Sequence, residues 1–157
     1  MTGWRLGYMG APEWIAKACT KIQGQVTSGA TAFGQKAAAY ALGADMTPTH
    51  KMREAFLERR ELVIKLLSEI PGFKVNEPKG AFYIFPDISH YFGTSDGKND
   101  INNADDFAFY ILENAYVAIV SGSAFGADNC FRLSYAASEE QLREAIRRIK
   151  EAVEKLK

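Results

Sequence analysis

Cysteine, histidine and proline are scarce: the 157 residues hold two, two and five of them. Cys19 and Cys130 form no C-x-x-C pair, which argues against a disulfide framework or zinc knuckle and fits a reducing compartment. His50 and His90 lie far apart, with no Cys or His at ligand spacing, so no metal site is expected. Charge of one sign is also missing. Nineteen basic residues face nineteen acidic ones, and a formal net charge of zero gives no broad attraction to nucleic acid or an anionic membrane. No apolar run approaches the roughly 20 residues that a membrane span needs. Met1 is followed by no basic segment and long apolar region, so no secretory signal is read and a cytoplasmic location is expected.

Two familiar catalytic patterns are absent as well. Gly93-Thr94-Ser95-Asp96-Gly97-Lys98-Asn99 has the wrong glycine spacing for a P-loop and no Ser or Thr after its lysine. Ser121-Gly122-Ser123-Ala124-Phe125-Gly126 is not a G-x-S-x-G elbow, and neither histidine suggests a triad. What remains is 47% apolar and 24% charged, enough for one ordinary domain with a real core.

The patterning predicts α+β architecture. Leu6 to Met9 reads as a short strand. Pro12-Glu13 opens a helix with Ile15, Ala18, Cys19 and Ile22 on one face. After a glycine-rich break, the alanine-rich stretch Thr31 to Leu42 reads as a second helix. A long helix begins near Pro48 with an apolar stripe of Met52, Ala55, Phe56, Val63, Leu66, Leu67 and Ile70, and Pro71-Gly72 stops it. Strands are expected at Phe73–Val75, Ala81–Phe85, Val117–Val120 and around Phe131–Tyr135, with a polar loop over residues 93–100. A helix capped by Asn102 or Asn103 and a last helix with a capping box, Ser138 to Gln141, complete the series.

Two arginines stand out. Arg5 follows Gly3-Trp4 and precedes Gly7; small neighbours let an anion approach, and a planar guanidinium suits a phosphate. Arg132 lies within an alternating strand, off the face formed by Phe131, Leu133 and Tyr135. A cation there needs an anion, from an acidic side chain or a ligand. Taken singly, each residue also admits a structural ion pair.

Taken in order, the segments are familiar. Thr2-Gly3-Trp4-Arg5-Leu6-Gly7-Tyr8, Gln25-Val26-Thr27-Ser28, Gln35-Lys36-Ala37-Ala38, Pro78-Lys79-Gly80-Ala81-Phe82-Tyr83-Ile84-Phe85-Pro86, Gly122-Ser123-Ala124-Phe125-Gly126 and Phe131-Arg132-Leu133-Ser134 together resemble the class I pyridoxal-phosphate aminotransferases, the aspartate aminotransferase family of fold type I. The resemblance implies that Arg5 holds the cofactor phosphate and that Arg132 binds the substrate α-carboxylate. It also implies that Phe82 lies near the substrate entrance and that Ser28 approaches the site of a neighbouring subunit. The family's cofactor-anchoring lysine is expected a short way ahead of Met1, so no catalytic residue is assigned within the chain. Ser121 stands where the family commonly has proline, and Gly29 where it often has Asn or Asp.

The resemblance further implies three parts. Residues 1–45 would be the end of a large cofactor-binding domain, 46–70 an interdomain helix, and 71–157 a small C-terminal α+β domain with helices on a small sheet. The parent enzyme would be a homodimer that moves an amino group between an L-amino acid and a 2-oxo acid, with aspartate aminotransferase as the named member. The chain alone would be inactive and would not hold pyridoxal 5'-phosphate covalently. Two other readings stay open at the level of residues: a stand-alone non-catalytic α+β module, and a lyase or decarboxylase using the same fold and cofactor.

Overall fold

The computed structural model describes residues 1–157, the side chain of Thr2 excepted. The chain divides into two compact units, Met1–Thr49 and His50–Lys157.

The first unit holds a 3-10 turn at Thr2–Trp4 and helices α1 (Glu13–Val26) and α2 (Ala32–Leu42). The Pro12 carbonyl accepts from the amides of Ile15 and Ala16, so proline sits one position before the helix rather than in it. Residues 6–9 form no strand. A strand needs a neighbour's amide and carbonyl groups, and among the described residues no segment supplies them. Leu6 instead lies over Gly34, where an added Cβ would come 3.0 Å from the leucine Cδ1. Trp4 meets Phe33 edge to face at 6.4 Å. Within the chain this unit covers little apolar surface: α1 has no buried residue, and α2 buries only Gly34.

The second unit contains the core. Helix α3 (Thr47–Ser68) is 22 residues long, close to the expected length, and starts just before the division between units. The Asp45 carboxylate accepts from the Thr47 amide at 3.0 Å and from its hydroxyl at 2.8 Å, which supports the helix start. Val63 and Leu67 on α3, and Ile70 just beyond it, are fully buried, while Met52 near the start of the same stripe is exposed. The stop at Pro71-Gly72 is sterically specific. Gly72 has φ 86°, and a Cβ there would come 2.2 Å from Cδ2 of His90.

Strands β1 (Tyr83–Ile84), β4 (Val120–Ser121) and β5 (Phe131–Ser134) form an antiparallel sheet in the order β1-β5-β4. Tyr83 pairs with Ser134 and Ile84 with Leu133; Val120 pairs with Arg132 and Ser121 with Phe131. The strand expected at 73–75 contributes one bridge, Lys74 with Asp87. The expected polar loop contains a hairpin of β2 (Thr94–Ser95) and β3 (Asp100–Ile101). Its turn forms because Asp96 Oδ1 accepts from the amides of Lys98 and Asn99, and Gly97 takes φ 91°.

Helix α4 (Ala104–Ala115) is capped by Asn103, and α5 (Glu139–Val153) by the complete Ser138–Gln141 capping box. The Tyr110 hydroxyl of α4 donates to the Ala152 carbonyl of α5 at 2.8 Å. Phe73, Phe107 and Phe131 pack with ring centroids 5.7–6.2 Å apart, at the centre of a core drawn from residues 63–153. This is the α+β layer that the sequence predicts, and it makes β5 the middle strand.

Candidate functional site

Phe131 and Leu133 are buried and Arg132 is half-buried, so alternation along β5 turns the arginine to the opposite face of the sheet, as expected. That face is not bare of large apolar groups. The guanidinium carbon of Arg132 lies 4.4 Å from the centre of the Tyr83 ring and 4.7 Å from that of Phe125. Tyr83 comes from β1, diagonally across from Arg132, and Phe125 from the 3-10 turn Gly122–Phe125 that follows β4. Among the described residues no carboxylate forms an ion pair with Arg132.

The turn carrying Phe125 is closely tied. The Gly122 amide donates to the Cys130 carbonyl at 2.7 Å, and the Ala127 amide to the Gly122 carbonyl at 3.0 Å. A Cβ on Gly122 would come 2.1 Å from the Ala127 oxygen, so only glycine fits. The Ser121 and Ser123 hydroxyls are 3.0 Å apart, and Ser123 donates to the Asp105 carboxylate at 2.8 Å. Bonds from Ser121 and Ser123 hold the Asp105 carboxyl below the ordinary aspartate range. Ser121, at the position where proline is common in the family that the sequence resembles, thus caps the 3-10 turn.

Phe82 stacks on Phe56 at 6.0 Å and touches the Tyr83 ring at 4.5 Å, so it meets the arginine's surroundings through Tyr83. It also lines a cavity of about 350 Å³ with Phe56, Leu57, Arg53, Arg60 and Lys79. Its backbone is fixed from both sides. The Tyr135 amide donates to the Phe82 carbonyl at 2.9 Å and the Tyr135 hydroxyl to the Ala81 carbonyl at 3.1 Å. Ala81 holds a left-handed φ of 59°. Burial pushes the Tyr135 hydroxyl above its ordinary range. Arg60 donates to the Pro78 carbonyl at 3.0 Å and secures the turn that leads in.

In the first unit, Arg5 is exposed and has a left-handed φ of 55°. A Cβ added to Gly3 or Gly7, two residues to either side, meets nothing within 4 Å, so the backbone is open at those two positions. Donor chemistry and room both fit a phosphate. Ser28 is exposed, also left-handed at φ 60°, and directly follows Thr27, the C-terminal cap of α1. Arg5 and Ser28 belong to one unit, Phe82 and Arg132 to the other.

Sequence reasoning missed Tyr83 and Phe125. Alternation in the 81–85 segment could have put Tyr83 on the arginine's face once the strands were paired. Phe125 lies in a 3-10 turn, where no period reports direction.

A small antiparallel sheet packed with helices carries, on its middle strand, an arginine that pairs with no carboxylate among the described residues. The comparisons give the class. The sequence model "Aminotransferase class I and II" matches residues 1–149, and the chain belongs to that family. It is 48% identical to a Petunia hybrida protein named bifunctional aspartate aminotransferase and glutamate/aspartate-prephenate aminotransferase, matching 100% of this chain and 34% of that protein. A probable aspartate/prephenate aminotransferase of Aquifex aeolicus is 46% identical over 99% of this chain and 39% of its own length. The crystal structure of an aspartate aminotransferase from Rhizobium meliloti superposes with TM-score 0.91 at 40% identity, over 100% of this chain and 40% of that one. The chain therefore spans between a third and two fifths of the length of these relatives. Among the described residues no helix is long and apolar enough to cross a membrane.

Proposed function

We propose that this chain supplies the phosphate-holding and carboxylate-holding arginines of a pyridoxal-phosphate-dependent aminotransferase acting on an L-amino acid and a 2-oxo acid. Aspartate is the proposed amino donor, a choice supported by the names that the Petunia, Aquifex and Rhizobium proteins carry. Residues 1–45 are proposed as the end of a large cofactor domain, 46–70 as the connecting helix and 71–157 as the small domain; a division near Thr49 supports this. A cytoplasmic homodimer is the proposed setting, with Ser28 directed toward the partner copy.

The observation that carries the proposal is Arg132. A half-buried guanidinium costs free energy unless an anion compensates it, and no carboxylate among the described residues does so. A substrate α-carboxylate would take two of its N–H donors in a bidentate pair. Arg5 would grip the cofactor phosphate, and the two glycines beside it leave the space. Pyridoxal phosphate, when bound, supplies a carbonyl for the amino group and an electron sink for the α-carbon. The chain's own residues orient: Arg132 fixes one end of the substrate, and Phe82 presents an apolar wall. The first lysine of the chain is Lys17, on α1, and none adjoins Arg5 in sequence. The chain by itself is accordingly proposed to be inactive.

The test is to titrate pyridoxal phosphate and aspartate separately against Arg132→Ala and Arg5→Ala in the enzyme that carries this chain. Arg132→Ala should weaken aspartate binding by about 2–5 kcal/mol and leave the cofactor nearly untouched. Arg5→Ala should do the reverse. Unchanged aspartate affinity in Arg132→Ala would show that the arginine is structural.

A further inference from the structure

We infer that Tyr83 and Phe125 are positioning residues: together they form an aromatic clamp that holds the Arg132 guanidinium with its N–H edge free for a carboxylate. The inference rests on the carboxylate reading of Arg132 given above.

The two rings reach Arg132 from opposite neighbours of the middle strand. Tyr83 stands on β1, and Phe125 follows β4. Guanidinium-to-ring distances of 4.4 and 4.7 Å are well inside the range of cation–π attraction. Both partners are themselves held. Phe125 meets Phe85 edge to face at 5.9 Å, and Tyr83 packs against Phe82 at 4.5 Å. The Gly122 turn and the Ser121–Ser123–Asp105 hydrogen bonds hold the backbone beneath Phe125.

The chemistry follows from the shape of the cation. A guanidinium is planar, and its five N–H donors lie in that plane. Rings set against its faces, an arrangement that distances of 4.4 and 4.7 Å accommodate, compete with none of the donors. They displace water from the faces and restrict the rotation of a long side chain, so less freedom is lost when a carboxylate arrives. A lysine has no such plane and could not be clamped in this way. The clamp thus selects arginine at position 132 and preorganises it for bidentate capture.

Nitrogen-15 NMR of the arginine Nε–H groups of the 157-residue chain tests this, with the Arg132 signal assigned by its loss in Arg132→Lys. Ring currents should displace that signal upfield. Tyr83→Leu and Phe125→Leu should each return it toward the ordinary position, while Tyr83→Phe and Phe125→Tyr should keep it displaced. Backbone amide spectra establish that each variant stays folded. Sodium pyruvate is then titrated as the probe. Wild type and the two aromatic-for-aromatic variants should bind alike, each leucine variant about threefold to tenfold more weakly, and Arg132→Lys not measurably. If the leucine variants bind pyruvate as wild type does while Arg132→Lys does not, the clamp is refuted and the carboxylate reading stands. If the signal is displaced as expected but pyruvate never moves it, the carboxylate reading fails, and the clamp loses its role in binding. A signal that is not displaced in wild type refutes the clamp outright.

Discussion

Gly122 carries a constraint that no larger residue meets, because the space its Cβ would need holds the carbonyl oxygens of Ala127 and Cys130. Those atoms are backbone and cannot swing aside. Gly122→Ala is expected to cost about 2–3 kcal/mol by forcing the turn open, measured as a shift in the urea midpoint. It should also disturb Phe125, and with it the Arg132 signal. Ser138→Ala is a milder change on a different terminus. It removes the oxygen that accepts the Gln141 amide and should cost about 1 kcal/mol in the same measurement. At this scale the sequence was informative where one residue type has one use. Arg132 was legible because alternation put a cation opposite the core side chains. Its ring partners were not, because strand pairing and turn geometry brought them together from distant segments.

Among elements, the helices were legible and the strands much less so. Helices α3, α4 and α5 satisfy their backbone bonds internally, so caps and stripes announce them. The strands are two to four residues long and exist only through pairing that local sequence does not encode. Residues 6–9 have strand composition and no partner; residues 94–101 have loop composition and form a hairpin. Asp87 shows how such short pieces are joined. It pairs through its backbone with Lys74 and Cys130, while its carboxylate accepts from the Ser89 amide at 2.8 Å and from Asn129 at 2.8 Å. Burial pushes its carboxyl up, but the bonds from Ser89 and Asn129 and the nearby Lys74 charge outweigh burial and hold it below 3.8. A lowered folded pKa means that the stabilisation is present above 3.8 and is lost as the pH falls through the folded value. Asp87→Asn should therefore lower stability at pH 7, and the loss should shrink as both proteins are titrated below pH 3.8. A deficit that stays constant with pH would show that the carboxylate charge contributes nothing.

The whole molecule is unequal in its two units. Every buried apolar side chain of the core lies between Val63 and Val153. The first unit leaves Trp14 73%, Phe33 71% and Tyr40 80% exposed. Amides of α1 and α2 should therefore exchange with solvent far faster than those of α4 and α5, by several orders of magnitude in hydrogen exchange. Equal protection in both units would contradict this account. The helices of the first unit could be read from the sequence because their patterning was present, even though α1 has no buried residue and α2 buries only Gly34. The proposed function divides in the same way: Arg132, proposed to hold the carboxylate, lies in the second unit, and Arg5, proposed to hold the phosphate, lies in the first. The most direct measurement follows the nitrogen itself. The enzyme that carries this chain is supplied with pyridoxal phosphate, 15N-labelled aspartate and 2-oxoglutarate. The prediction is that 15N appears in glutamate, and that Arg132→Ala lowers kcat/KM by a factor of tens to thousands. Release of the label as ammonia, loss of a substrate carboxylate as carbon dioxide, or transfer unaffected by Arg132→Ala would contradict it.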